Sequence, residues 1–317
     1  MDFIEKLEKA SKIHNNIKAQ LNKEFISKNN TYDICSFIEN EISYNLEDEV
    51  NNGIAFPTGI SINNVVAHYT PTKQDKYFIK ENDLVKIDYG THVDGYIIDS
   101  AFSININEKY KPIYDASKAA ITNVIKNIGV DSRFQELSRI IEETVNSYEY
   151  EENGVLKPVK IIDNVYGHNI KRFNIHGGKY LYPTVNKHDN QIVDENEIMA
   201  IEVFTSNGKG TTKLDNNIRN YSHYKLKNEF ENRNIPLFPN KKLNIIGELI
   251  KDKFFTLPFC PRFFGKTNVS VFDMQNLFNA NVVESYPPIL EYDNNCKSAQ
   301  FEHTICVTEN KVIDFNE

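Results

Sequence analysis

The segment KIDYGTHVDGYIID, Lys86 to Asp99, sets two carboxylates, Asp88 and Asp99, into strand-like apolar surroundings of Ile87, Tyr89, Ile97 and Ile98. A four-residue type I turn at His92 to Gly95 predicts strands in which Asp88 lies directly opposite Asp99, with both side chains on one face. Two buried carboxylates in that relation repel and lose hydration, so they persist when one is protonated or when a cation sits between them. The alternative is that one of them turns to solvent or pairs with an arginine. Three later segments weigh on that choice. GHNI offers His168 near the start of a strand, MAIEVF places Glu202 among apolar strand residues, and AQFEHTICV does the same with Glu302. Taken singly, each glutamate also suits an edge strand facing water. As a set, Asp88, Asp99, His168, Glu202 and Glu302 form an oxygen-rich group with one imidazole, able to hold two divalent ions among Mn, Fe, Co and Zn and to activate water for hydrolysis.

These residues need a strand-built scaffold, and the periodicity of the chain supplies one. Apolar residues at spacings of three and four predict an amphipathic helix from Asp2 to about Phe25, and a second from about Tyr32 to Leu46 with Asn30 or Thr31 as its cap. From Gly53 onward, β-branched residues, Gly and Pro replace that pattern and predict short strands and turns, followed by paired strands from Leu84 to Ile106. Helices are expected at about Ile113 to Ile128 and, behind an Asp131 or Ser132 cap, at Phe134 to Tyr148. The second half repeats strands with helices: strands around Val165, Ile198 to Thr205 and Ala299 to Val307, and helices near Lys242 to Phe254 and Val271 to Phe278. No short repeat period suggests a solenoid.

Composition narrows the function. With 36 Lys+Arg against 44 Asp+Glu in 317 residues, the net charge of −8 argues against a protein that lives on phosphate backbones, so no DNA partner is expected. No apolar run of membrane-spanning length and no signal-peptide pattern occur, so neither membrane insertion nor export is expected and a cytoplasmic location is. Cys35, Cys260, Cys296 and Cys306 lack metal-knuckle or disulfide spacing and read as reduced thiols. His14, His92 and His188 read as surface residues, and His303 as facing away from Glu302 because side chains alternate along a strand. The GKG at Gly208 to Gly210 reads as a turn.

A series of motifs carries a family resemblance: GIAFPTGISINNVVAHYTP (Gly53 to Pro71), KIDYGTHVDGYIIDSAF (Lys86 to Phe102), GHNI with IHGGK (Gly167 to Lys179), AIEVFTSNGKG (Ala200 to Gly210), SHY (Ser222 to Tyr224), YPPIL (Tyr286 to Leu290) and AQFEHTI (Ala299 to Ile305). In this order they resemble type 2 methionine aminopeptidases of the two-metal peptidase family M24. The resemblance implies an α+β pita-bread fold, a pseudo-twofold antiparallel sheet flanked by helices. Residues 1–50 would be N-terminal helices packed on a catalytic domain of residues 51–317, and residues 224–285 a helical insertion of type 2. It further implies that Asp88, Asp99, His168, Glu202 and Glu302 hold two divalent metal ions, bridged by Asp99 and Glu302. His68 and His176 would face the scissile bond, and Phe56, Ile175, His223 and Tyr286 would wall the pocket for a methionine side chain. Glu202 is the expected proton shuttle. The implied activity is removal of the initiator methionine from nascent polypeptides with a small second residue, with ribosome association and a monomeric chain as further expectations. An X-Pro hydrolase of the prolidase or aminopeptidase P kind, or a binding protein without chemistry, are the competing readings. Three departures stand out: Lys171 after GHNI where glycine is usual, Lys225 after SHY where methionine is familiar, and no charged N-terminal extension.

Overall fold

The computed structural model describes residues 1–46, 51–105, 107–217, 223–230, 233–267 and 269–316. Ile106 and Ser222, which the strand and motif readings include, and residues 47–50 of the expected N-terminal segment lie outside these. Helix α1 (Phe3–Gln20) starts at a capping box, Asp2 accepting from the Glu5 amide while Glu5 accepts from that of Asp2. It does not run on to Phe25. The side chain of Asn22 accepts from the Phe25 amide and opens a separate short helix, α2 (Lys23–Lys28). Asn30 caps α3 (Thr31–Asn45) in the same way. The remaining helices are α4 (Lys111–Asn127), α5 (Phe134–Asn146), α6 (Lys241–Lys253) and α7 (Val271–Asn279). Neither Asp131 nor Ser132 caps α5. Its N-cap is Arg133, and the Ser132 hydroxyl accepts from the Gly129 amide at 2.9 Å, closing the preceding turn.

The described residues build a nine-stranded antiparallel sheet, numbered here as β1 (Gly53–Ile62), β2 (Leu84–Val93), β3 (Tyr96–Asn105), β4 (Lys160–Ile161), β5 (Gly167–Ile170), β6 (Tyr180–Leu181), β7 (Glu197–Ser206), β8 (Ser298–Val307) and β9 (Val312–Asp314). The order is β1-β2-β3-β8-β7-β5-β6, with β9 beside β8 and β4 beside β7. Helices α1 and α3 pack on the β1–β3 half, and α4 with its partner α5 packs on β7 and β8, giving the α+β class and the two-fold pattern of the pita-bread fold. Residue 165 lies in the link between β4 and β5 rather than in a strand, because Asp163 and Asn164 turn the chain there.

Alternation along the strands divides the sheet into a helix-facing side and an open side. On the helix side, the Tyr89 hydroxyl donates to the carbonyl of His14, Thr91 Oγ1 donates to that of Ala10, and Phe301 meets Tyr114 edge-on. His14 is therefore no surface residue. It is fully buried, stacked on Tyr89 at 4.0 Å, and desolvation holds its pKa down at about 3. The helical stripe that the sequence shows contains His14, but only packing against the sheet says that this stretch faces inward. His92 is also buried, its Nδ1 accepting from the Gly95 amide at 3.3 Å, whereas His188 is exposed.

The turn between β2 and β3 is tighter than expected. Val93 pairs with Tyr96, leaving a two-residue Asp94-Gly95 turn with φ of 49° and 77°, the geometry that suits the twist of a hairpin. Asp88 consequently lies opposite Ala101, and Asp99 opposite Gly90. The register differs from the expected one by two residues, so both carboxylates stay on the same face as diagonal rather than direct neighbours.

The open side is overlaid by two smaller units. Residues 65–67, 212–214 and 289–291 make a three-stranded sheet, and 223–226 pairs with 283–286 in a ribbon. Tyr224, Leu226 and Val283 on one face of that ribbon join Ile246, Ile250, Met274, Phe259 and others in a hydrophobic cluster separate from the main core. The ribbon's other face, with His223 and Tyr286, looks into the molecule.

Candidate active site

All five carboxylate and imidazole residues singled out from the sequence share the open face. Ala101 sits opposite both Asp88 and Glu302, Glu302 opposite Glu202, and Ala200 opposite His168, so the pairing carries one set of side chains across β2, β3, β8, β7 and β5. They line one pocket. Asp99, His168 and Glu302 are the deepest, at 2–4 % exposure, and offer ligand atoms within 4.8 Å of one another. Asp88 and Glu202, half-buried, stand toward the opening, and Gln300 Nε2 lies 3.5 Å from a carboxylate oxygen of each.

Burial is what makes this group reactive. Desolvation pushes Asp88 up to about 7, against the opposing pull of the Gln300 amide. Desolvation first, then neighbouring carboxylates, raise Asp99, Glu202 and Glu302 well above the usual range. Four carboxyl groups crowded in one largely buried pocket do not all ionise near neutral pH unless positive charge joins them. The donor set fits a cation in two further respects. Asp88 Oδ1 is buried without a hydrogen-bond partner. His168 Nδ1 lies 3.4 Å from the Asn169 carbonyl, which leaves Nε2, 3.5 Å from Asp99 Oδ2, as the free lone pair of a neutral ring. Burial lowers the His168 pKa to about 4, so the ring is neutral at pH 7.

The pocket wall comes from connections and from the ribbon. His68 follows the 65–67 strand with φ of +64°, a conformation costly for a non-glycine residue and common at functional sites. Its ring lies 5.8 Å from that of His223 and 6.0 Å from Tyr286. His176 stands edge-on to His168 at 4.5 Å, in a loop that the Gly177 amide ties to the Asn169 carbonyl at 2.6 Å. Desolvation lowers all three pocket histidines, His68 to about 4, His223 to about 3 and His176 to about 2, so each is a neutral imidazole near pH 7. Phe56 reaches the pocket because β1 bulges between Ile54 and Gly59 around Pro57, which has no amide to pair, and because Gly90 opposite leaves room. A Cβ at Gly90 would come within 2.3 Å of the Phe56 ring. Ile175 completes the wall with His223, whose Nε2 lies 3.1 Å from the Pro57 carbonyl, and Tyr286, whose hydroxyl donates to Glu284 at 2.8 Å.

Two contributors escape a reading of the sequence. Gln300 is two residues from Glu302, and alternation alone would have placed it on the same face. Arg262 has no such signal. From the segment after α6 it reaches Glu39 on α3 through Nη2 at 2.6 Å and Nε at 3.0 Å, Thr70 Oγ1 at 2.9 Å and the Pro71 carbonyl at 2.7 Å. Glu39 also accepts from the Thr58 amide at 3.2 Å. One buried guanidinium thus ties the ribbon-bearing unit to α3, to the β1 bulge and to the chain just past His68.

Comparison with known proteins agrees with this geometry. Residues 5–309 match Metallopeptidase family M24. Methionine aminopeptidase 2 of Yarrowia lipolytica is 39 % identical over 86 % of this chain and 57 % of its own length, and that of Candida dubliniensis 37 % identical over 96 % and 67 %. The chain therefore spans between about half and two thirds of those relatives. Among solved structures, a thermophilic Arx1 superposes with a TM-score of 0.78 at 17 % identity, covering 99 % of this chain and 91 % of that one. A methionine aminopeptidase from Thermotoga maritima superposes with a TM-score of 0.61 at 18 % identity, covering 99 % and 96 %. At such identities these superpositions speak for the fold. Shared fold, motif order and sequence identity agree, and the chain belongs to metallopeptidase family M24, a divalent-metal family, within the methionine aminopeptidase 2 group.

Proposed function

We propose that this chain is a type 2 methionyl aminopeptidase that removes the initiator methionine from nascent proteins and peptides whose second residue is small. The observation that carries the reading is that Asp88, Asp99, His168, Glu202 and Glu302 converge in the same pocket as Phe56, Ile175, His223 and Tyr286. Those five would hold two divalent ions, Co, Mn, Fe or Zn. When bound, such a pair would supply Lewis acidity and a water of lowered pKa. The apolar and aromatic wall takes the methionine side chain and so places the first peptide bond over the carboxylates. Glu202, toward the pocket opening, moves the proton from the attacking water to the leaving amine. Neutral His68 and His176 donate to the developing oxyanion and orient the peptide.

On this reading residues 1–50 brace the catalytic domain of residues 51–317, and residues 224–285 are an inserted subdomain whose ribbon closes the pocket. The protein would work as a monomer in the cytoplasm beside ribosomes. No helix among the described residues is long and apolar enough to cross a membrane. The test is release of methionine from a Met-Ala-Ser peptide by protein stripped of metal and then titrated with Mn²⁺ or Co²⁺, beside an X-Pro peptide. Metal-dependent release from Met-Ala-Ser alone supports the proposal; cleavage of X-Pro alone would replace it with a prolidase-like activity.

A further inference from the structure

The catalytic pocket opens into a polar mouth that shares His176 and Tyr286 with it and is otherwise lined by residues such as Asn174, Tyr180, Lys225 and Glu284. Lys225 is the unusual member. It is only 6 % exposed, and its ammonium makes one long hydrogen bond, 3.4 Å to Asn228 Oδ1, with no ion pair among the described residues. An ammonium has three donors, and one long hydrogen bond leaves the others for an anion that enters the mouth. The neighbouring charged side chains keep their charge but make their hydrogen bonds to groups other than Lys225. Glu284, directly across the ribbon from Lys225, accepts the Tyr286 hydroxyl at 2.8 Å. Lys227 donates to Asn281 Oδ1, and Glu229 accepts from Asn281 Nδ2 at 3.2 Å.

The ribbon also gives a ruler. His223 with Tyr286 and Lys225 with Glu284 are successive pairs on its pocket-facing side, two residues apart, or about 7 Å along the strand. An extended peptide advances by the same amount in two residues. With the first side chain beside His223 and Tyr286, the third residue of a peptide leaving through the mouth comes alongside Lys225.

We infer that Lys225 is a specificity-determining residue that recognises a carboxylate at the third position of the substrate, favouring peptides of the form Met-small-acidic. The inference rests on the proposed aminopeptidase reading. The carboxylate could be an Asp or Glu side chain or the C-terminus of a very short peptide, and the substrates of the test separate the two.

The experiment compares kcat/KM for Met-Ala-Glu-Ser amide, Met-Ala-Gln-Ser amide and Met-Ala-Lys-Ser amide, with Met-Ala-Gln as free acid and as amide. The Glu peptide should exceed the Gln peptide roughly fivefold, through KM, with the advantage shrinking as salt rises. The Lys peptide should fall below both. A matching gain for the short free acid over its amide would name the chain terminus as a second source of the carboxylate. In Lys225→Gln the Glu-to-Gln ratio should collapse toward one, and Lys225→Arg should keep it. Equal rates for Glu and Gln in the wild type, or a ratio unchanged in Lys225→Gln, would overturn the inference. Calorimetric affinity of the metal-free enzyme for the same amides reads the ratio without turnover. A charge preference in binding with no hydrolysis of any Met peptide would therefore sink the aminopeptidase reading, and with it substrate specificity, and would leave only the recognition of a carboxylate by Lys225.

Discussion

The carboxylate floor and the histidine-rich wall of the pocket face each other across a few ångströms and are built in opposite ways. The floor lies on the central strands β2, β3, β7 and β8 with short β5, and α1 and α4 back the sheet. Strands β2–β3 and β7–β8 pair along their whole length, while β3 and β8 meet at Ala101 and Glu302, with Ser100, Ser103 and Thr304 tying the seam. The wall is made of a left-handed residue after a short strand, a loop, a bulge and a ribbon that belongs to another hydrophobic cluster. Each half of the floor is thus fixed by a long backbone ladder and the two halves by buried hydroxyl ties, whereas the wall's geometry depends on a few longer-range side-chain contacts, chiefly Arg262 to Glu39. The difference separates two requirements: four crowded carboxyls tolerate little displacement, while a substrate pocket needs shape and neutral donors.

The largest effect should come from the floor. Glu302→Ala should lower kcat/KM by roughly a thousandfold or more and reduce bound metal measured by atomic spectroscopy. The metal-free variant should melt no lower than metal-free wild type, because it loses a buried like charge. If metal content stayed full, the floor would not be the metal site. Next comes the wall: His176→Ala should cost roughly a hundredfold in kcat with metal content intact. Parallel loss of metal and rate would erase the distinction between floor and wall.

Arg262→Ala tests the ties that hold the wall. Leaving Glu39 buried without its partner should destabilise the protein by about 3 kcal/mol in denaturant melts. KM should rise more than kcat falls, with metal retained, since the ribbon and the His68 turn move relative to the floor. An equal fall in metal affinity would show that the strut serves both halves.

The smallest effect concerns the back of the floor and appears only on acidification. His14 is neutral in the folded protein with a pKa of about 3, against 6.5 for an exposed histidine. Its contribution to stability is complete above pH 6.5 and is lost as pH falls from there toward 3, because the unfolded chain binds the proton and the folded one does not. His14→Phe keeps a ring against Tyr89 and removes that loss. Its stability should therefore fall less than that of wild type between pH 7 and pH 4, and identical slopes would show that His14 is accessible.

The sequence by itself determined that Asp88 and Asp99 share one face of a hairpin and singled out Glu202 and Glu302 as charges within apolar strands. The period of two keeps Asp88 and Asp99 on one side, and that survives a register error of two; the strand pairing then brings Glu202 and Glu302 to the same face. The Asp94-Gly95 turn moved Asp99 two residues along its partner and left both aspartates where their chemistry needs them. Motif order likewise announced His68, His176, His223 and Tyr286, although nothing local to those residues says that they meet. Only the tertiary structure decided that His14 and His92 are buried, that Gln300 lies between Asp88 and Glu202, that Arg262 reaches across the molecule to Glu39, and that Lys225 lines the pocket mouth with one long hydrogen bond to Asn228. The physical reason is range. Alternation and turn chemistry act over a few residues and leave a periodic trace in the chain, whereas burial and long-range ion pairs depend on which surface arrives opposite, and the Arg262–Glu39 pair closes a separation of 223 residues.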